Sequence, residues 1–290
     1  MPETDSWTVR RILDWMAGDF EGRGLDTPRL DAELLVADAL GIDRVRVYMD
    51  LDRPLVPDEL DAIRVRVTRR RAREPVAYIL GQREFYGRRF EVGPAVLVPR
   101  PDTELLVERA LELLPPDTDA RVVDLCTGSG AIAVTLAAER PSLHVDATDL
   151  SSAALAVALR NAEALGVAGR VAFSEGDLYA PLRAGARYAL VVANPPYVAD
   201  EVLATLQPEV SRHEPRLALA GGDDGLAVIR RIVEGATERL LPGASLLVEI
   251  GSDQWARVRP LFGERFVGAR IHRDLASHER LAEAALAAPE

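Results

Sequence analysis

The chain has 290 residues, 48% of them hydrophobic and 28% charged, which is long and apolar enough for one large core and a smaller one. Its net charge of -11 and isoelectric point near 5.0 argue against stable, phosphate-driven nucleic-acid binding, and no apolar run reaches the ~18 residues needed to span a membrane. All 35 basic residues are arginine, so neither a P-loop lysine nor a Schiff-base lysine is available.

The first residues, with Glu3 and Asp5 ahead of any apolar stretch, lack the build of a secretory signal, and the single Cys126 has no disulfide partner. A cytoplasmic setting is expected. Trp7, Ile12, Trp15 and Phe20 are spaced for an amphipathic helix over 7–22. Thr27-Pro28 then suits an N-cap and first helical position, with Leu30, Leu34, Leu35 and Leu40 as the apolar stripe before Gly41. A further helix over 57–73 carries Arg64, Arg66, Arg69, Arg70, Arg71 and Arg73, either a solvated face or a docking surface. Residues 79–98, broken by Gly81, Gly87, Gly93 and Pro94, predict a β-hairpin joining this helical domain (1–78) to a second domain (99–290).

Pro99-Arg100-Pro101-Asp102-Thr103-Glu104 leads into a helical stripe from Leu105. From there strands alternate with helices. Val122-Val123 precedes a helix over 131–139, and 143–147 precedes one over 153–165. Strands at 171–173, 190–193 and 246–250 follow, the last after a helix over 226–240. The pattern predicts an α/β fold with a parallel, doubly wound sheet, whose ligands sit at the carboxyl ends of the strands.

Three of those ends carry candidate ligand groups. Asp124-Leu125-Cys126-Thr127-Gly128-Ser129-Gly130 lies between strand and helix, where glycines permit a tight turn and close approach of a ligand. Asp149, nineteen residues past Gly130, stands where an acidic residue accepts hydrogen bonds from ribose hydroxyls. Asp177, followed by Leu178, ends a third strand near the position of a base. The glycines also fit the relaxed dinucleotide fingerprint, so a dinucleotide remains open at this point.

The fourth strand end is the centre of the chemistry. Val191-Val192-Ala193 runs into Asn194-Pro195-Pro196-Tyr197, and prolines bring carbonyl oxygens without competing N–H donors. The Asn194 side-chain oxygen and a neighbouring carbonyl together accept both hydrogens of a planar NH2, leaving its nitrogen aimed outward, with Tyr197 over its flat face. That geometry has no use in hydride transfer and suits delivery of an amide or amine nitrogen to an electrophilic methyl group.

These motifs, with His213-Glu214-Pro215-Arg216 and Gly221-Gly222-Asp223-Asp224-Gly225, closely resemble the release-factor glutamine methyltransferases, the PrmC/HemK family, over about 76–280. The resemblance implies a Rossmann-like fold, S-adenosyl-L-methionine as cofactor, and the Gly-Gly-Gln glutamine of class I peptide-chain release factors as substrate. It also implies that Cys126, Thr127, Gly128, Ser129, Gly130, Asp149, Leu178 and Asn194 line the cofactor site, and that Asn194, Pro195, Pro196 and Tyr197 hold the glutamine. The first 78 residues would recognise the substrate. Cys126 and Ser277 stand where glycine is common in the family. A nucleic-acid amino-group methyltransferase and a non-catalytic adaptor of the translation apparatus are the alternatives. No metal site is expected, and the four histidines are expected to be satisfied or solvated.

Overall fold

The computed structural model describes residues 6–288, so the reading of Glu3 and Asp5 lies outside the described residues. The chain divides into two compact units, one running to Gly81 with Pro208–His213 added, the other comprising Gln82–Gln207 and the chain from Glu214 onward. Among the described residues no helix is long and apolar enough to cross a membrane.

The first unit is helical: α1 (Val9–Gly22), α2 (Pro28–Leu40), α3 (Arg44–Met49), α4 (Pro57–Arg71) and α5 (Val76–Leu80). Its core is built from Val9, Leu13, Met16 and Phe20 of α1, Leu35 and Val36 of α2, and Ile63 and Val67 of α4. The α1 stripe therefore runs through Val9, Ile12, Leu13, Met16 and Phe20, and Trp15 is off it, 43% exposed beneath the Arg71 guanidinium. Leu30 is likewise largely exposed, and Thr27 donates to Asp31 Oδ1 (2.7 Å) instead of capping the backbone of α2.

The arginine run of α4 is neither a free basic surface nor simply solvated. Arg66 pairs with Asp38 (2.6 Å), Arg69 with Glu74 (2.5 Å), Arg71 with Asp19 (2.7 Å) and Arg64 with Asp61. Arg70, almost fully buried, bridges Asp31 and Glu209 at 2.8 Å each, and Arg73 reaches the other oxygen of Glu209. Six cations are thus matched to carboxylates within the unit, which neutralises the run and ties Pro208–His213 to α2 and α4.

The second unit starts with the antiparallel hairpin β1 (Gln82–Phe85) and β2 (Arg88–Glu91). Tyr86 and Gly87 both have positive φ, 50° and 68°, the signature of a two-residue turn whose twist matches its strands. Phe85 and Phe90 pack edge to face in the core of this unit, so from residue 82 onward the segment expected as a linker belongs to the second unit, while 79–81 belong to the first.

The remaining elements are α6 (Glu104–Leu113), β3 (Arg121–Leu125), α7 (Ala131–Glu139), β4 (His144–Asp149), α8 (Ser152–Ala164), β5 (Val171–Glu175) and β6 (Tyr188–Ala193). They continue with α9 (Pro208–His213), α10 (Ala227–Arg239), β7 (Leu240–Glu249), α11 (Trp255–Val258), β8 (Phe266–Arg273) and β9 (Glu279–Leu286). The sheet order is β5-β4-β3-β6-β7-β9-β8. The first five strands in that order are parallel, and Val122, Val123, Leu190, Val191, Val192, Leu246, Leu247 and Val248 are fully buried, as strands covered on both faces require.

The sheet is not wholly parallel: β9 is antiparallel to both β7 and β8. This last hairpin escapes a search for apolar runs because one face of it carries Arg270, His272 and Glu283, which satisfy one another. Chain order reverses on either side of β3, so the carboxyl ends of β3 and β6 flank the crevice at which open α/β sheets bind ligands.

Candidate functional site

Leu125, the last residue of β3, pairs with Ala193, the last of β6. The loop starting at Cys126 and the tip starting at Asn194 therefore leave neighbouring strands side by side. They open into a cavity of about 390 Å³ lined by both, by the ends of β4 and β5, by Val96, Pro99, Arg100 and Thr103 on one side and by Pro215 and Leu217 on another.

The glycine loop is held by two carboxylates. Asp124, fully buried at the end of β3, accepts from Thr127 Oγ1 (2.6 Å) and Ala133 N (3.2 Å), while its Oδ1 has no partner. Burial pushes Asp124 up to about 7, with Thr127 and Ala133 pulling against it. Asp149 accepts from Gly128 N and, through its other oxygen, from Ser151 N, both at 2.9 Å. Burial raises its pKa and the backbone N–H groups oppose that rise. Each carboxylate oxygen has a second lone pair, so the aspartate retains acceptor capacity toward the cavity.

Cys126 has φ +59°, in the left-handed region where a Cβ is unfavourable. Burial pushes its thiol up, so it stays protonated and serves as a small packed group. Ser277, in the turn between β8 and β9, has φ +67°. Both departures from glycine are thus at left-handed positions, the physical reason a glycine is favoured there. Gly130 does not line the cavity: it opens α7 at φ +79°, and a Cβ there would lie 3.1 Å from Ala158 Cβ of α8.

Thr127, Gly128, Ser129, Asp149, Asp177 and Leu178 all line the cavity with Cys126. Asp177 is paired with Arg231 of α10 (2.5 Å), and Leu178, at φ +49°, is 7% exposed and offers an apolar wall.

At the β6 tip Asn194 and Pro196 line the cavity, whereas Pro195 is buried behind them. Asn194 Nδ2 donates to Thr103 Oγ1 (3.1 Å), which leaves Asn194 Oδ1 as the atom able to accept. Tyr197 is not among the lining residues. Its hydroxyl donates to Glu249 Oε1 (3.4 Å), its carbonyl accepts from Gln254 Nε2 (2.8 Å), and its ring packs against the core around β6 and β7. Burial raises the Tyr197 pKa, and Gly225 at φ +75° approaches so closely that a Cβ would lie 2.5 Å from the Tyr197 carbonyl. In this conformation the ring does not cover a group held at Asn194.

Several participants were not singled out from sequence. Thr103 and Arg100 line the cavity, and Arg100 donates to both oxygens of buried Glu214 (2.7 and 2.8 Å). The segment Pro99–Glu104 signals only a helix start by itself, and nothing local reveals its place beside β6. Among the described residues no histidine lines the cavity, and His272 pairs with Glu283 (2.6 Å). Among the described residues, no group of three or more His, Cys, Asp or Glu is placed to hold a metal ion.

Two family descriptions match the chain: the PrmC N-terminal domain over residues 11–81 and the methyltransferase small domain over residues 101–211. A release factor glutamine methyltransferase of Geobacter sulfurreducens is 48% identical over 256 residues, 88% of either chain. One from Chlorobaculum tepidum is 41% identical over 282 residues, 94% of this chain and 96% of that protein. Among solved structures, the T. thermophilus 16S rRNA N2 G1207 methyltransferase in complex with AdoMet and guanosine aligns with a TM-score of 0.53 at 20% identity. It covers 71% of this chain and 49% of that one, a likeness of fold alone. With relatives this similar over nearly the whole length, and a glycine loop and Asn-Pro-Pro-Tyr tip converging on one cavity, the chain belongs to the release factor glutamine methyltransferases, S-adenosylmethionine-dependent enzymes of Rossmann-like fold.

Proposed function

We propose that this chain methylates the side-chain amide nitrogen of the glutamine in the Gly-Gly-Gln motif of class I peptide-chain release factors, in the cytoplasm, with residues 1–78 recognising the substrate. The observation that carries the reading is the Asn194 amide: its nitrogen is committed to Thr103, so its oxygen is the acceptor left for an incoming NH2. The relatives named for this reaction, and the helical region matched over 11–81, support it.

The residues fit the cofactor. Asp149 supplies acceptors for ribose hydroxyls, Leu178 an apolar wall for adenine, and the loop from Cys126 to Ser129 a surface for close backbone approach, all lining one cavity. Gly130 acts one step back by packing α7 on α8, and Asp177, at the cavity wall, is paired there with Arg231. When bound, S-adenosyl-L-methionine supplies an electrophilic methyl group on a sulfonium. The chain's own contribution is positional. Asn194 Oδ1 and a carbonyl of the proline pair accept the two amide hydrogens, which directs the nitrogen at the methyl carbon and favours the charge that develops as the bond forms. Tyr197 holds the tip from behind through Glu249.

Methyl transfer from labelled cofactor to a purified release factor tests the proposal, with tRNA and ribosomal RNA as parallel acceptors. Label on a release-factor glutamine is expected. Label on nucleic acid alone, or on neither, would overturn the reading.

A further inference from the structure

Among the described residues, two cationic side chains line the cavity, Arg100 and Arg231. Arg231 stands at the β5 end, paired with Asp177. Arg100 stands at the other end. It precedes the short turn Pro101–Thr103, its carbonyl accepts from Thr103 N (3.1 Å), and Thr103 Oγ1 accepts from Asn194 Nδ2 (3.1 Å) at the tip of β6. In the sheet, β6 lies across β3 from β4 and β5.

The Arg100 head group is anchored with donors to spare. Its Nη2 alone donates to both oxygens of Glu214, at 2.7 and 2.8 Å. The Glu214 side chain is 1% exposed, whereas that of Arg100 is 36% exposed and borders the cavity. A guanidinium carries five N–H groups on three nitrogens, so Nε and Nη1, which have no hydrogen-bond partner among the described residues, are left for a second acceptor. Two carboxylates on one guanidinium is an arrangement this chain uses elsewhere: Arg70 bridges Asp31 and Glu209 at 2.8 Å each.

Polarity of the cofactor decides what that acceptor is. With ribose at Asp149 on β4, adenine against Leu178 after β5 and the reacting methyl at Asn194 on β6, the amino-acid portion of S-adenosylmethionine extends beyond the sulfonium toward the Arg100 end. Its α-carboxylate is the one anionic group the cofactor brings. We propose that Arg100 is a further cofactor-binding residue, which takes this carboxylate on Nε and Nη1, and that Glu214 of the His213-Glu214-Pro215-Arg216 motif is a positioning residue that anchors the guanidinium for it. This rests on the reading of Asp149, Leu178 and Asn194 as the ribose, adenine and nucleophile ends of the site. Hydrogen bonds between a guanidinium and a carboxylate are of the strong, charge-assisted kind. The sulfonium is then held between two anchors, Asp149 and Arg100, which keeps its methyl from swinging away from Asn194.

The test measures by calorimetry the affinity for S-adenosylmethionine and for decarboxylated S-adenosylmethionine in parent, Arg100→Lys and the double variant Arg100→Met with Glu214→Gln. The double variant leaves no buried carboxylate without its cation, and thermal melting establishes that each protein is folded. Parent should prefer the carboxylated ligand. In the double variant S-adenosylmethionine should bind about 10-fold to 100-fold more weakly, with the decarboxylated ligand within about threefold of its parental affinity. Arg100→Lys keeps a charge for Glu214 but has one nitrogen to share between two carboxylates, so its loss should be about 3-fold to 10-fold and again confined to the carboxylated ligand. KM for release factor at saturating cofactor should change by less than about threefold. A folded variant of either kind that keeps the parental preference, or that weakens both ligands equally, would overturn the inference, the second outcome because it makes Arg100 a support of the wall alone. A raised release-factor KM with unchanged cofactor affinity would give Arg100 to the protein substrate and overturn it as well. Each of these results leaves the methylation reading standing, whereas a parent that shows the expected ligand preference and leaves release factor unlabelled would overturn that reading and uphold this inference.

Discussion

Asp149→Ala separates two duties the structure gives one carboxylate. The side chain holds Gly128 N and Ser151 N at 2.9 Å each, which fixes the glycine loop, and its remaining lone pairs face the cavity that the ribose is proposed to enter. A hydrogen bond to a charged group contributes about 1.5–3 kcal/mol, but Asp149 is only half-buried and water can replace part of what is lost. A net loss of about 1.5–2 kcal/mol is therefore expected from loosening the loop. For a unit of about 200 residues this lowers the melting temperature by about 3–8 °C. Losing even one ribose hydrogen bond should weaken S-adenosylmethionine binding at least about tenfold. Asp149→Asn should fall between, since its oxygen can still accept from one N–H while its NH2 faces the other. Differential scanning fluorimetry gives the first quantity and calorimetry the second. Lower melting with cofactor affinity within about threefold of parent would confine Asp149 to the loop and refute its place in the cofactor site.

Asn194→Ala should slow single-turnover methylation of a release-factor fragment on the order of 100-fold, with cofactor affinity nearly unchanged; a folded variant within about threefold of parent would remove Asn194 from orientation of the nucleophile. Cys126→Gly and Ser277→Gly each relieve a left-handed side chain costing roughly 1–2 kcal/mol against about 0.5–1 kcal/mol of added chain entropy, so denaturant unfolding should show unchanged or slightly higher stability. Arg70→Gln takes the cation from buried Asp31, which keeps only Thr27, and from half-buried Glu209, which keeps Arg73, and should destabilise the helical unit by about 2–4 kcal/mol, whereas Arg64→Gln, at an exposed pair, should leave urea unfolding unchanged.

Much of the second unit was legible because parallel strands buried on both faces are short apolar runs, and those of β3 and β6 end in residues with distinctive chemistry. Helix α7 occupies the expected 131–139, and α10 falls within one residue of expectation at either end. What stayed hidden depends on partners distant in sequence. Trp15 fits a helical stripe by count, yet Val9, Leu13 and Met16 complete a better-packed one and leave the indole under Arg71. The arginine run looks like a basic surface until Asp19, Asp31, Asp38 and Glu209 are brought to it from other helices. Tyr197 follows the proline pair as an obvious cover for a planar group, but the carboxylate of Glu249 and the amide of Gln254 hold it against the core.

The same dependence explains why the reactive geometry concentrates at one spot. Parallel pairing brings Leu125 level with Ala193, and Ala193 level with Val248, so three consecutive chain exits stand shoulder to shoulder: Cys126, Asn194 and, one strand further, Glu249. The first exit is a loop of left-handed residues that lets a ligand approach backbone, the second a tip rich in carbonyl acceptors, and the third a buried carboxyl group. A methyl transfer needs little more than alignment of nitrogen, carbon and sulfur, because the electrophile is already activated. Alignment comes from the sheet register, which a packed core of fully buried Val123, Val191 and Val248 holds against displacement. The side chains then have a narrower task. They have to present acceptors to an NH2, and Asn194, whose Nδ2 is already given to Thr103 Oγ1, has its oxygen left for that part.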